Sequence, residues 1–285
     1  MRRKQFLAGL AALPWAARAA APVRLSLAYP NLDGLGERSL GYRVLRLALE
    51  KSGRPFSLTL TTEPTTHVRA RQQLLLGEID VVDFGTSEDF EQRFQALYFP
   101  IDRGLNGWRL FIIQSRLQSR LAAVHDLAGL RRFTLGQGND WSDVAVLQAA
   151  GFRVERAGSL VALFRMLAAG RFDALPLGLN EAYEMLGQAR SDAPDCVIDR
   201  QLALAYPFAR MLFVRRGNEL LHDTLRRGLQ RAFDDGSFHA LFHGLPGNAE
   251  ASLRERLAGR RILRIDNPTL SAEVRRIPEH YFFRP

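Results

Sequence analysis

Cysteine is almost missing from this chain of 285 residues. Cys196 is the only one, so an internal disulfide and a cysteine-built zinc site are both excluded. Lysine is nearly as scarce, with Lys4 and Lys51 alone, and arginine carries almost all the positive charge. Past the first few residues that charge is scattered, with no basic run beyond pairs and no interleaved aromatics. A nucleic-acid face is not expected. No stretch after the first twenty residues is long and apolar enough to span a bilayer. There is no Gly-x-Ser-x-Gly, no defensible cysteine–histidine pair and no low-complexity segment. Gly136-Gln137-Gly138-Asn139-Asp140-Trp141 half-matches a dinucleotide fingerprint. Trp141 stands where the last glycine belongs and would block close helix–strand packing. His239 and His243 lie four apart on an expected helix. They lack the intervening glutamate of the protease arrangement and a third ligand, so they read as a surface pair. No metal and no cofactor is expected.

What is present begins with a basic start, Arg2-Arg3-Lys4, a short apolar run from Phe6 to Ala17, and Ala17-Arg18-Ala19, which has the small-x-small form of a signal-peptidase site. Cleavage after Ala19 is expected. Arg3-Lys4-Gln5-Phe6-Leu7 resembles a variant twin-arginine signal, and an ordinary secretory signal fits equally. No cysteine sits there to carry a lipid. Arg2, Arg3, Lys4 and Arg18 would leave with the segment, so +5 of the formal +9 remains. The expectation is an exported, periplasmic protein with no stable membrane insertion after cleavage. A basic cleft in it would suit an anionic small ligand.

The most informative feature is a repeat. Leu74-Leu75-Leu76-Gly77-Glu78-Ile79-Asp80-Val81 and Leu167-Ala168-Ala169-Gly170-Arg171-Phe172-Asp173-Ala174 both read Leu-x-x-Gly-x-apolar-Asp-apolar. Both reach a further glycine, Gly85 and Gly178. Each copy predicts a helix, a left-handed glycine turn and a short buried strand. Two copies predict two α/β lobes. Ligands in open α/β sheets bind beyond the carboxyl ends of strands, so residues after Gly85 and Gly178 become site candidates across a cleft. The divisions expected are 1–19 signal peptide, 20–106 first part of lobe 1, 107–216 lobe 2, and 217–285 return to lobe 1 plus a C-terminal tail of extended chain wrapping the surface. The hinge crossings are expected near Leu105 to Trp108 and Arg216 to Asn218.

From about Val23 to about Gly244 the order of elements resembles the periplasmic solute-binding proteins of the amino-acid-binding type (extracellular solute-binding family 3). The resemblance rests on Leu74 to Asp80, on Arg93 followed by Phe99-Pro100 and the apolar strand at Leu110 to Ile113, on Gly138-Asn139-Asp140 at a helix start, and on Asp235-Gly236-Ser237-Phe238. It implies a two-lobed type II periplasmic-binding-protein-like fold with two hinge crossings. It also implies that Arg93 pairs with a ligand carboxylate, for which a planar guanidinium is suited. Gly85 and Thr86 would supply backbone and hydroxyl contacts. Asn139 and Asp140 would stand at the start of the lobe 2 helix, where free N–H groups favour anions, and Trp141 would be a ligand-facing aromatic. Tyr29, ending the first strand, and the loop arginines Arg38 and Arg103 are further cleft candidates, as are Asn180 and Glu181. Two departures stand out. The family's acidic group for a ligand ammonium falls close to Gly178, with Glu181 three residues on. Asp140 replaces a neutral hydroxyl.

The function expected is periplasmic binding of a small polar solute, anionic or carboxylate-bearing, by closure of two lobes. The partners would be a membrane permease of the ABC type or a sensor kinase. Two alternatives stand beside it. One is an exported dehydratase-like enzyme using Asp140 and Glu181 as acid and base, with Arg93 holding a carboxylate. The other is a signalling module whose degenerate cleft binds a protein partner.

Overall fold

The computed structural model describes residues 24–285; the expected signal peptide and its cleavage point lie outside them. The chain opens with β1 (Leu25–Leu32), α1 (Leu40–Ser52), β2 (Phe56–Thr65), α2 (His67–Leu76), β3 (Val81–Gly85), α3 (Glu88–Arg93) and β4 (Gln95–Ala96). A second run follows: β5 (Trp108–Gln114), α4 (Gln118–Ala122), α5 (Leu127–Leu130), β6 (Thr134–Gly138), α6 (Asp143–Ala149), β7 (Arg153–Ala157), α7 (Leu160–Ala168), β8 (Ala174–Gly178), α8 (Ala182–Gln188), β9 (Cys196–Ile198) and β10 (Leu202–Ala205). The last part holds β11 (Arg210–Val214), α9 (Glu219–Asp234), α10 (Ser237–His243), α11 (Glu250–Leu257), β12 (Arg261–Arg264) and α12 (Ala272–Arg275).

The repeat carries the architecture. In the first copy Gly77 has φ 76°, and in the second Gly170 has φ 68°. Each turns the chain from helix to strand, α2 to β3 and α7 to β8. The aspartate of each copy then joins its strand to a neighbour in the same way. Asp80 N–H donates to Ala28 O (2.9 Å) and its carboxylate accepts from Ala28 N–H (2.8 Å). Asp173 N–H donates to Thr134 O (2.9 Å) and its carboxylate accepts from Thr134 N–H (2.8 Å). The Asp in the pattern is therefore a register pin that satisfies a main-chain donor of the neighbouring strand. β3 and β8 lie in different sheets, one per lobe.

In lobe 1, β1 and β2 pair in parallel, and β11 runs antiparallel between β3 and β4. Phe84 stacks on Phe213 with ring centroids 4.1 Å apart. Helix α1 is capped by the Ser39 hydroxyl and buries Val44, Leu45, Ala48 and Leu49, an i, i+4 stripe, against α9. The crossing is close: a Cβ added at Gly228 would lie 1.9 Å from the Ala48 carbonyl oxygen. Gly228→Ala must push two helices apart, and a loss of about 1–3 kcal/mol in urea unfolding is expected.

Lobe 2 is one sheet in the order β12-β10-β5-β8-β6-β7, with β9 pairing β5. Its core includes Phe111, Ile113, Leu135, Leu147 and Leu204, all buried. Two expectations about the chain path are corrected here. The strand Arg210–Val214, placed by sequence within 107–216, belongs to lobe 1, because all five residues pair with Val81–Gly85. The second crossing is therefore at 206–209 rather than near Arg216 to Asn218. It lies beside the first: Tyr206 N–H donates to Gly107 O (2.9 Å). The tail is not simply extended surface chain, since β12 adds in parallel to β10 over four residues.

Candidate functional site

Between the lobes lies a cleft of about 630 Å³. The carboxyl ends of β1 and β3, the sides of α1 and α2, and Arg210 form one wall. The start of β5, the turn after β6, and the ends of β8 and α8 form the other. The walls carry opposite charge. Lobe 1 presents Arg38, Arg43, Arg71 and Arg210 against Asp33. Lobe 2 presents Asp140, Asp143, Glu181 and Glu184 against Arg109.

The base of the lobe 2 wall is a buried ionic cluster. Arg109 is 1% exposed. Its guanidinium donates to the Tyr206 hydroxyl (2.8 Å) and to Asp143, and lies 3.7 Å from Glu181. Burial opposes the charge, but Asp143, Tyr206 and Glu181 outweigh it and hold the Arg109 pKa above its ordinary value. Glu181 also accepts from Gly178 N–H (2.9 Å). A side chain at Gly178 would meet that carboxylate, its Cβ lying 2.9 Å from Glu181 Oε1. Glu181, three residues along the chain, thus fills the space beside Gly178.

On the lobe 1 wall, Arg210 donates to Asp83, which is fully buried and also accepts from the Tyr29 hydroxyl. His67 lies 3.9 Å from Asp33, and its Nδ1 has no partner among the described residues. Burial, helped by the Arg210 charge, lowers the His67 pKa from 6.5 to about 4. The unfolded chain then binds the extra proton between those values, so this group's stability is complete above pH 6.5 and is lost as pH falls towards 4. Asp33, raised by burial, acts in the opposite direction. His67→Asn should therefore flatten the loss of stability between pH 6.5 and 4, read from urea midpoints of both proteins.

Arg71 has no counter-ion among the described residues, as is also true of Arg38 and Arg43 on the same wall. It is half-buried on α2. Its guanidinium lies over the rings of Phe90 (4.7 Å) and Phe84 (5.5 Å). It has no ion pair or hydrogen bond among the described residues. Burial presses its pKa down; the Asp140 charge opposes this and Arg93 adds to it.

Of the residues singled out from sequence, Arg38, Gly85, Asp140, Trp141, Asn180 and Glu181 line the cleft. Arg93, Tyr29, Thr86, Arg103 and Asn139 do not. Arg93 closes the last turn of α3 and is half exposed, lying 3.9 Å from Asp89 and over the Phe94 ring. Tyr29 is fully buried behind the wall, on Asp83. Thr86 is buried too, donating its hydroxyl to Glu91 (2.6 Å) and its N–H to Ala209 O (2.9 Å). Arg103, with φ 52°, turns to His243 and the Phe282 carbonyl. Asn139 is exposed, its N–H used by Ala157 O. The lobe 2 helix starts at Asp143, two residues later than Trp141, and the charge of Asp143 occupies its first turn. Sequence reading missed Arg71, Arg109, Arg210, Asp143, His67 and Phe208. For Arg109 and Arg210 a signal existed: each is a lone arginine at the start of a strand that is apolar beyond it, and such a charge needs a partner when buried.

Two α/β lobes joined by adjacent crossings around a charged cleft are the fold of the periplasmic binding proteins. Solved structures share it. An ancestral arginine-binding protein bound to arginine is 16% identical at a TM-score of 0.57, covering 77% of this chain and 97% of its own. A histidine kinase sensor domain with similarity to periplasmic binding proteins is 15% identical at 0.58, covering 79% and 96%. An ancestral amino-acid-binding protein, a precursor of cyclohexadienyl dehydratase, is 11% identical at 0.56, covering 78% and 95%. More than a fifth of this chain has no counterpart in them. No family model matches the sequence, and no curated protein matches it. Among the described residues no helix is long and apolar enough to cross a membrane.

Proposed function

We propose that the cleft binds a small solute bearing a carboxylate at one end and a cationic group at the other, outside the cytoplasm, for a permease or a sensor. The observation that carries this is the unpaired Arg71 guanidinium, facing a wall where carboxylates outnumber cations. A carboxylate on Arg71 completes a half-buried charge, and a cation farther along meets the lobe 2 carboxylates. Solved structures of the same fold hold arginine or glutamine; arginine has this polarity, its guanidinium lying at the far end from its carboxylate. Of the anionic or carboxylate-bearing solutes expected, the opposed charge favours a carboxylate-bearing one with a cation over a dianion, which would meet the lobe 2 carboxylates at one end.

Thermal-shift screening of the chain from Ala20 tests this. The panel is amino acids of varied side chain, dicarboxylates, diamines and neutral sugars. Compounds with both charges should raise the melting temperature. At 100 times the dissociation constant the stabilisation is about 2.7 kcal/mol. Stabilisation by sugars alone, or by nothing in the panel, would refute the reading.

A further inference from the structure

The C-terminal segment touches both lobes in alternation. After α10, in lobe 1, the chain turns through 245–248 at the cleft, which Leu245, Pro246 and Asn248 help to line. That turn is held to lobe 2. Asn180 donates to the Asn248 side chain (3.0 Å), and the Arg256 guanidinium donates to Leu179 O (2.9 Å) and Gly247 O (3.2 Å). β12 then joins the lobe 2 sheet, with Arg261 N–H on Gln201 O (2.7 Å) and Ile265 N–H on Ala205 O (3.0 Å).

The chain next returns to lobe 1 within a few residues. Asn267, fully buried, donates to Pro207 O (2.9 Å) at the second crossing. Glu88 N–H donates to Thr269 O (2.8 Å), and the Ser271 hydroxyl donates to the buried Glu91 carboxylate (2.6 Å). Farther on, the Tyr281 ring packs 4.3 Å from that of Phe233, and Phe283 N–H donates to Arg103 O (2.8 Å).

We propose that residues 245–283 are a strap that fixes the separation of the lobes, so that solute enters a preformed cleft instead of being captured by hinge closure. Two crossings lying side by side, at 105–107 and 206–209, form a hinge about which lobes can rotate. Here two more spans, 244–249 and 265–268, run between the same bodies and are pinned at both ends. The second has almost no slack, since a residue reaches at most ~3.6 Å. Rotation of lobe 2 must either pull β12 from β10 or strip Asn267, Thr269 and Ser271 from their hydrogen-bond partners. The strap also supplies part of the cleft wall, so it sets the aperture as well as holding it.

Interlobe distances measured by electron–electron double resonance test this without any solute, so the outcome is separate from that of the solute-binding reading. Spin labels go on Gln72→Cys in lobe 1 and Glu155→Cys in lobe 2, both exposed, while Cys196 is buried. The full chain should give one narrow distance. Inserting six Gly/Ser residues between Asp266 and Asn267 should broaden it and add longer distances. Should that variant fail to fold, Asn267→Ala/Ser271→Ala serves in its place, with a smaller broadening. A broad or double distribution in the uninserted chain would overturn the proposal. So would a narrow, unchanged distance in a folded insertion variant.

Discussion

Arg109→Met is expected to cost about 3–5 kcal/mol of folding stability, the usual result of removing one partner of a buried ion pair. Arg109 and Asp143 are 1% and 4% exposed. Methionine keeps the length of the side chain but gives Asp143 no cation, and the Tyr206 hydroxyl loses the Nε donor it accepts from. Urea unfolding at neutral pH reads the loss. A companion variant separates cause from packing. Arg109→Met/Asp143→Leu removes the whole pair, and removing a pair together is often close to neutral, so much of the loss should return. A single variant within 1 kcal/mol of the parent would mean the cluster is far wetter than the burial of Arg109 and Asp143 implies.

Arg71→Ala should leave folding nearly intact and impair binding instead. The side chain is half-buried, lies over two aromatic rings and makes no ion pair or hydrogen bond among the described residues, so its removal costs the fold about 1 kcal/mol or less. For a carboxylate-bearing solute taken from the thermal-shift panel, the loss should be about 2 kcal/mol, close to thirtyfold in affinity. That is the low end for a desolvated charge pair, as suits a half-exposed group. Arg71→Lys should recover part of it, because an ammonium cannot make the two-pronged contact. Arg93→Ala should bind as the parent does. Calorimetry on the three variants decides, and the reverse ranking, with Arg93→Ala inactive and Arg71→Ala normal, would restore the assignment suggested by family resemblance.

That contrast shows what the sequence could and could not convey. The helix–glycine–strand–Asp repeat was legible because each part answers to local physics: a left-handed turn, a short apolar run, and a carboxylate that caps the neighbouring strand. Two lobes followed from its duplication. Arg93 was misplaced because resemblance supplies a position in the chain, whereas direction comes from the short helix α3, whose last turn points that side chain outward. Arg71 was passed over for the same reason. On α2 the burial of Ala70 and Leu74 fixes the rotation of the helix, and only a partner lobe makes the adjacent face a cleft. The lobe assignment of β11 was not legible either, since an apolar strand fits either sheet until its partners are known. β12, four residues reading Arg-Ile-Leu-Arg, has too little pattern to announce a strand at all.

The position of β12 also bears on how the chain must come together in time. β10 is interior to the finished sheet, yet the strand that covers its outer edge comes from the far side of α9, α10 and α11. Until nearly the whole chain is available, β10 is an open edge with unpaired N–H and C=O groups, the kind of surface that recruits other strands. Lobe 2 therefore cannot mature early and wait for the rest. A chain stopped just before Arg261 would keep its ionic cluster and most of its helices, and would still present a template for aggregation.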